Sequence, residues 1–309
     1  MKIIISPVNY NDAIELCQKN LDILLVGSNE FATRNTYDCS LDDLKKIIQN
    51  KNNTKIWVNV NSFFYEPQIE SLEKYLIEIS KLDIDRVVFN DCAIPQINKE
   101  LDLGLSLHYN PSTLITSFGQ FEFYNRNKFS SISIANELFL PEVKMMASQK
   151  PKNLELAIQV QGYVLIMHSR WNLVTNFKDY IDDIKDEYLR NKVIRIKEET
   201  RKYHNHIYED QNGTHMFTGY ELCLIKYLKQ LSELNIDYIF IDNILQKDEK
   251  YNLKMLSIYQ DAIKSINENN FDNNVDNLYE RCLDNANDND KVSAGFIGGI
   301  KDIKHYESK

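Results

Sequence analysis

Short runs of β-branched and aliphatic residues recur along the chain, separated by longer stretches that are apolar on one side only. Eight such runs stand out, at residues 3–5, 23–26, 56–60, 86–89, 105–107, 131–134, 156–160 and 238–241. Most are apolar at nearly every position, the pattern of strands covered on both faces. Between them, Leu72, Tyr75, Leu76, Ile79 and Leu82 fall on one face of a helix. Leu222, Ile225, Leu228, Leu231 and Leu234 predict another. Ser40 and Asn11 stand where an N-cap side chain accepts from the first unpaired amides of a helix. Strands alternating with helices predict an α/β fold with a parallel sheet, and eight strand–helix units predict a (β/α)8 TIM-barrel-like fold. A doubly wound open sheet is the alternative if the strand count is off by one.

The rhythm breaks between the seventh and eighth runs, where an insertion at residues 163–218 holds a predicted helix at 177–189 and a tight turn at Asn212-Gly213. In a barrel such an insertion lies over the face where the loops after the strands build the site. The chain therefore divides into a barrel with its insertion, residues 1–268, and a C-terminal segment, residues 269–309. Residues 267–290 are rich in Asn and Asp and read as a loosely attached linker, after which Gly295-Phe296-Ile297 re-docks.

Composition narrows the classes. With 43% hydrophobic and 26% charged residues, nine Gly and six Pro in 309 residues, the chain is neither disordered nor collagen-like. A net charge of -9 confines any nucleic-acid contact to a local basic patch. Cysteines 17, 39, 92, 223 and 282 show no close pairing and read as reduced thiols. No apolar run has the length of a membrane span, and the opening Met1-Lys2-Ile3-Ile4-Ile5-Ser6-Pro7 is too short for a secretory segment, so a soluble cytoplasmic protein is expected.

The candidate chemistry sits just past the strands, where a barrel gathers its loops into one mouth. Those positions hold Gly27 and Ser28, Asn59 and Asn61, Asn90 and Asp91, His108 and Asn110, Asn136 and Glu137, Gln161 and Gly162, and Asp242 and Asn243. Polar residues also end strands simply because loops begin there. His108 suits a general base or a metal ligand, and Asp91 with Glu137 an acid/base pair; a structural or capping role is the competing reading for each. His168 and Arg170 stand in an unusual stretch where Arg170 suits gripping a phosphate or carboxylate, or stacking on Trp171. Basic residues concentrate at 190–206, with Lys192, Arg195, Lys197, Arg201 and Lys202 interleaved with tyrosines. They read as an RNA-contacting patch or as the solvated face of a period-2 strand. His204 and His206 alternate like one strand face but have no evident third ligand, and no metal site is assigned. Dinucleotide-binding, P-loop, zinc-protease and nucleophile-elbow motifs are all missing.

Over nearly its whole length the chain resembles peptidase family U32, the collagenase-like proteins. The resemblance is carried by residues 22–34 with Gly27, Phe31 and Arg34, by 83–94 around Asp91, and by Asn136-Glu137-Leu138. Further support comes from 158–174 with Gly162, from 209–214, from Glu221-Leu222-Cys223 and from Gly295-Phe296. The family's signature cysteines are replaced here by Leu165 and Asn172, and its Ile-Glu-Gly-Arg after the last strand reads Ile241-Asp242-Asn243-Ile244. Branches that bind an iron–sulfur cluster use four cysteines, of which Cys223 alone matches, so the resemblance implies no such cluster and no other cofactor.

In length and degenerate signature the chain is similar to the smaller member of the paired U32 proteins of low-GC Gram-positive bacteria. The resemblance then implies a part in prephenate-dependent hydroxylation of the tRNA wobble uridine beside a larger U32 paralogue, in a hetero- or homo-oligomer. Asp91, His108, Glu137 and His168 would be its catalytic residues, and Arg34, Asn61, Asn110, Asn136 and Arg170 would bind a small anionic substrate such as prephenate. Peptidase activity and a non-catalytic scaffold are the alternatives.

Overall fold

A computed structural model describes residues 1–180, 194–197, 203–288 and 291–299. Its strands are β1 (Lys2–Ile5), β2 (Ile23–Val26), β3 (Lys55–Val60), β4 (Arg86–Phe89), β5 (Leu107–Tyr109), β6 (Ser131–Ser133), β7 (Glu155–Ser169), β8 (Ile194–Ile196), β9 (Asn205–Asp210), β10 (Gly213–Cys223), β11 (Tyr238–Ile241) and β12 (Val292–Ser293). The helices are α1 (Tyr10–Gln18), α2 (Leu41–Asn50), α3 (Glu66–Ser80), α4 (Ala93–Glu100), α5 (Phe121–Arg126), α6 (Leu140–Ser148), α7 (Leu173–Tyr180), α8 (Leu228–Glu233), α9 (Tyr251–Asn267) and α10 (Phe271–Leu283).

Strands β1 to β7 pair in order and in parallel, and β11 closes the ring by pairing with both β7 and β1. The result is the eight-stranded (β/α)8 barrel that the alternation predicts. Alternate residues separate two apolar layers, as the period of a strand requires. Ile3, Ile5, Leu24, Val26, Ile56 and Val58 face the helices, and Ile4, Ile23, Leu25, Trp57, Val88, Ala157 and Tyr238 fill the interior.

The insertion is built by a single strand that outgrows the barrel. The first half of β7 pairs in parallel with β6 and β11, and its second half runs on as an antiparallel partner of β10, with β9 and β8 beyond. Gly162 marks the change of direction. Its φ of +100° is open mainly to glycine, and a Cβ there would lie 2.2 Å from the Asp242 carbonyl oxygen. The hairpin between β9 and β10 turns on Gln211 and Asn212, one residue earlier than expected, with Gly213 at φ +114° taking the left-handed position. Asn212 is held instead by its own amide donating to Asp210 Oδ1 at 2.8 Å.

Several expectations are corrected. Asn9, not Asn11, caps α1 by accepting from the Asp12 amide. Leu222 belongs to β10, so the helix read from it begins only after a short 3-10 turn. The fifth strand is Leu107–Tyr109, because Leu105 is held in the preceding loop by both amide groups of Asn98. The Asn/Asp-rich linker is in fact helical: Phe271, Val275, Leu278 and Cys282 fall on one face of α10 and pack on the core. Of the helix predicted at 177–189, residues 177–180 belong to α7, which starts earlier, at Leu173, and residues 181–189 lie outside the described residues.

Candidate functional site

The loops after β1, β2, β3, β5, β6 and β11, with side chains from within β7 and β10, surround a cavity at the C-terminal end of the barrel. Its volume is about 80 Å³, room for several waters or one small polar molecule. Six asparagines line it, at positions 35, 59, 61, 110, 136 and 243, together with Gln159, Asp242 and Arg34.

Four of these amides are spent on the walls. Asn61 Oδ1 accepts from the Thr33 amide at 2.9 Å, Asn110 Oδ1 from the Ser112 amide at 3.2 Å, Asn136 Nδ2 donates to Gln159 Oε1 at 2.9 Å, and Asn243 accepts from Thr36 Oγ1 and donates to the Ser6 carbonyl. Asn59 and Asn35 are different. Asn59 Nδ2 donates to Asn35 Oδ1, but Asn59 Oδ1 and Asn35 Nδ2 are buried without a partner among the described residues. Buried polar atoms left unpaired are uncommon and mark places where something else completes the bonding.

Arg34 makes the same point with a full charge. Its backbone is left-handed, φ 57°, a cost that an arginine bears only when its surroundings impose it. Its guanidinium has neither a hydrogen bond nor an ion-pair partner among the described residues, and burial pushes its pKa down. Across the cavity, burial pushes the Asp242 carboxyl up to about 6, against the opposing pull of the Ile244 amide and of Arg34. A part-buried guanidinium without a hydrogen bond, drawn only at a distance by Asp242 and Asp210 and set beside unpaired amides, is an arrangement for a small anion, above all a carboxylate with further polar groups.

A second recess adjoins the first at Thr33 and is lined by Phe63, Tyr65, Gln68, His168, Arg170 and Asn212. Its back wall is a chain of three titratable groups across the antiparallel sheet. Asp210 Oδ1 lies 3.0 Å from His215 Nε2, and His215 Nδ1 lies 3.2 Å from His168 Nδ1. His215 is fully buried. Burial works against the ionised form of Asp210, yet the hydrogen bond from His215 holds its carboxyl below the usual range. Burial, with the neighbouring His215 and Arg34, pushes His168 down to about 4, so it is neutral at pH 7.

The expected site residues separate into two groups. Arg34, Asn61, Asn110 and Asn136 line the cavity, and His168 and Arg170 line the recess. Arg170 stacks on Tyr65, with its guanidinium carbon 3.5 Å from the ring centre, rather than on Trp171. The other three candidates are elsewhere. His108 lies inside the barrel with Nδ1 on Ser131 Oγ at 2.7 Å and Nε2 on Ser133 Oγ at 2.9 Å, so both its nitrogens are occupied. Asp91 ties two loops together by accepting from the Phe64 and Ala93 amides, and Glu137 is exposed outside the cavity. Asp91 and Glu137 therefore form no pair across the mouth. Asp210 and His215 were missed. Their signal was an Asp and a His flanking a tight turn, but only the register of β10 on β7 brings His215 opposite His168.

Of the basic stretch, Arg195 and Lys197 are exposed at β8, while Lys192, Arg201 and Lys202 lie outside the described residues. No set of three His, Cys, Asp or Glu side chains converges as metal ligands among the described residues, and His206 packs edge-on against Tyr163. All five cysteines are free thiols. Cys223 at the end of β10 and Cys282 of α10 lie in contact with one another, while Cys17, Cys39 and Cys92 stand in α1 and in the loops before α2 and α4.

A closed parallel barrel with its unpaired polar groups gathered at the C-terminal mouth is the layout of the TIM-barrel class. Within that class the chain belongs to peptidase family U32, whose family model matches residues 8–307. It is 26% identical over 304 residues to tRNA hydroxylation protein P2 of Bacillus subtilis (strain 168), covering 96% of this chain and 97% of that one. It is 23% identical over 228 residues to the uncharacterized protease MJ0090 of Methanocaldococcus jannaschii, and 18% identical over 256 residues to tRNA hydroxylation protein P1 of Bacillus subtilis (strain 168). Those matches cover 70% and 78% of this chain, but 52% and 58% of the relatives. Among solved structures, the U32 peptidase Mk0906 matches 78% of this chain and 92% of its own with 15% identity and a TM-score of 0.48. Among the described residues no helix is long and apolar enough to cross a membrane.

Proposed function

We propose that this chain takes part in hydroxylation of the wobble uridine of tRNA in the cytoplasm, as the smaller partner of a longer U32 paralogue. The observation that carries the reading is the end-to-end match to tRNA hydroxylation protein P2. The match to P1, a longer chain of the same organism, supports the pairing. In this reading Arg34 binds a carboxylate of a small anionic ligand such as prephenate, and the amides of Asn35 and Asn59 take its remaining polar groups. Arg195 and Lys197, with Lys192, Arg201 and Lys202 in the same stretch, contact the RNA backbone.

The test is mass spectrometry of tRNA nucleosides from a strain lacking this gene and any redundant hydroxylation route. Loss of hydroxyuridine derivatives, restored by the wild-type gene, supports the reading; an unchanged profile removes it.

Peptidase activity is the second reading, favoured by the raised pKa of Asp242, which suits a water-activating base beside a polar cavity. It predicts cleavage of a gelatin peptide by the pure chain that falls with Asp242→Asn. A third reading, a scaffold without catalysis of its own, predicts hydroxylation that needs this chain but survives loss of Arg34.

A further inference from the structure

The antiparallel extension of the barrel forms part of the wall of the Arg34 cavity. Leu165 of β7 and Phe217 of β10, which pair with each other across the extension, line it together with the barrel loops. The extension therefore roofs the site, and the way the roof is fixed differs on its two sides.

On one side β7 and β10 run into it unbroken, but their ladder is interrupted where they leave the barrel. Glu221 pairs with Tyr163 and Phe217 with Leu165, so residues 218–220 stand opposite Val164 alone. A bulge of this kind bends a strand and breaks its pairing. A side chain bridges the gap: Thr218 Oγ1 accepts from the Val164 amide at 3.1 Å and donates to the Tyr220 carbonyl at 2.7 Å.

On the other side the tip of the extension rests on the loops after β2 and β3. Gln211 Nε2 donates to the Asn29 carbonyl at 3.0 Å, and Ser62 Oγ donates to Asn212 Oδ1 at 3.4 Å. Phe63 stacks on His168 with ring centres 5.8 Å apart, and Arg170 lies on Tyr65. Each of these contacts uses a side chain, and among the described residues no backbone-to-backbone hydrogen bond crosses this edge. Helix α7 adds no anchor to the barrel. None of its residues is buried, and its first-turn amides donate to Glu209 and Thr214 of the extension itself. A wall that bends at a bulge and is fastened by side chains alone is the construction of a segment that opens at low cost.

We propose that the outer half of the extension, residues 165–169 and 205–217 with α7, is a flap that swings at the bulge of residues 164 and 218–220. Gln211, Asn212, His168 and Arg170 latch it shut, and a ligand enters the Arg34 cavity when the latch releases. The proposal rests on the reading of that cavity as a ligand site and adds the way in.

The experiment uses the full chain with Leu25→Cys, which places a thiol in the cavity lining at a position only 7% exposed, and Cys92→Ser, which removes the exposed native thiol. Methyl methanethiosulfonate is the probe, and peptide mass spectrometry reads its rate of addition at each cysteine. Adding Gln211→Ala and Ser62→Ala should speed modification of residue 25 at least about fivefold, the effect of losing two weak hydrogen bonds. Cys17 and Cys282, buried in α1 and α10, should be modified no faster than before. Hydrogen exchange of the unaltered chain should find residues 165–169 less protected than residues 156–160 of the same strand.

An unchanged rate at residue 25, or a rise shared by Cys17 and Cys282, overturns the flap, as does equal protection of the two halves of β7. Neither result touches the ligand reading, which falls on its own if Arg34→Met leaves hydroxylation intact while the flap responds as expected.

Discussion

Two part-buried arginines stand at opposite ends of the barrel, and their circumstances are opposite. At the floor, Arg86 donates to Ser131 Oγ at 2.6 Å, pairs with Glu155, and lies 5.0 Å from the ring centre of Trp57 and 5.3 Å from that of Tyr238. Ser131 Oγ continues to His108, whose other nitrogen ends on Ser133. Both the guanidinium and the imidazole of this network are paired. At the mouth, Arg34 has no such partner among the described residues, and the nearby amides of Asn35 and Asn59 each leave one atom unpaired. Buried polar groups are costly when unpaired, so the floor is organised for stability, whereas the mouth leaves polar atoms unsatisfied. The same residue type is thus paired at one end and without a hydrogen bond at the other.

The largest effect that would sharpen this contrast is expected at the floor. Arg86→Met removes the partner of Glu155 and strips a donor from Ser131, and should lower the unfolding free energy by about 2–3 kcal/mol, allowing for the partial exposure of Glu155. Chemical denaturation measures it. The matching change at the mouth, Arg34→Met, should cost less than about 1 kcal/mol or even stabilise, because it deletes a part-buried charge that has no hydrogen bond to lose and whose attraction to Asp242 and Asp210 is outweighed by its desolvation. Equal destabilisation by the two would break the comparison.

The next effect, about 1 kcal/mol per pH unit, is expected from His108. Burial, then the charge of Arg86, pushes its pKa down to about 3, below the ordinary value near 6.5 that the unfolded chain keeps. The depressed folded pKa means the unfolded state binds the proton first as pH falls. Stability contributed by neutral His108 is therefore whole above about pH 6.5 and is lost progressively from there down to about pH 3. His108→Gln should remove on the order of 1 kcal/mol per pH unit from the acid slope of the unfolding curve. An unchanged slope would mean that His108 is not the paired, neutral group the floor network requires.

The smallest effect belongs to Asp242. Its folded pKa, about 6, lies above the ordinary carboxylate value, so the folded state holds the proton more tightly between about pH 4 and 6 and stability falls as pH rises through that window. With water reaching the cavity the loss should be of order 1 kcal/mol, and Asp242→Asn should abolish it. The same titration sharpens the account of the mouth. Below about pH 6 the protonated carboxyl no longer competes for Arg34, so a carboxylate ligand should bind more tightly there, which calorimetry can read.

The barrel was legible in the sequence because strands buried on both faces must be apolar at almost every position, as residues 23–26 and 56–60 are. The mouth was legible in part for the same topological reason: Asn61, Asn110 and Asn136 follow strands and do line the cavity. His108 misled because the fifth strand is shifted by two residues, which carries the imidazole from the loop into the interior. Asp210 and His215 stayed hidden because the β7–β10 register depends on irregularities next to Phe217 that residue spacing does not encode. The helix α10 was masked by its solvent face. Its Asn and Asp residues dominate the composition, although Phe271, Val275, Leu278 and Cys282 keep helical spacing beneath them.

The central claim is that the unpaired guanidinium of Arg34 is there for a ligand that tRNA hydroxylation needs. The most direct measurement is the hydroxyuridine content of tRNA in the deletion strain complemented with Arg34→Met, with the level of the variant protein checked alongside. The account predicts hydroxylation reduced at least about a hundredfold, the loss of a charge-assisted pair at about 3 kcal/mol, with protein level unchanged. Wild-type hydroxylation by Arg34→Met would contradict it.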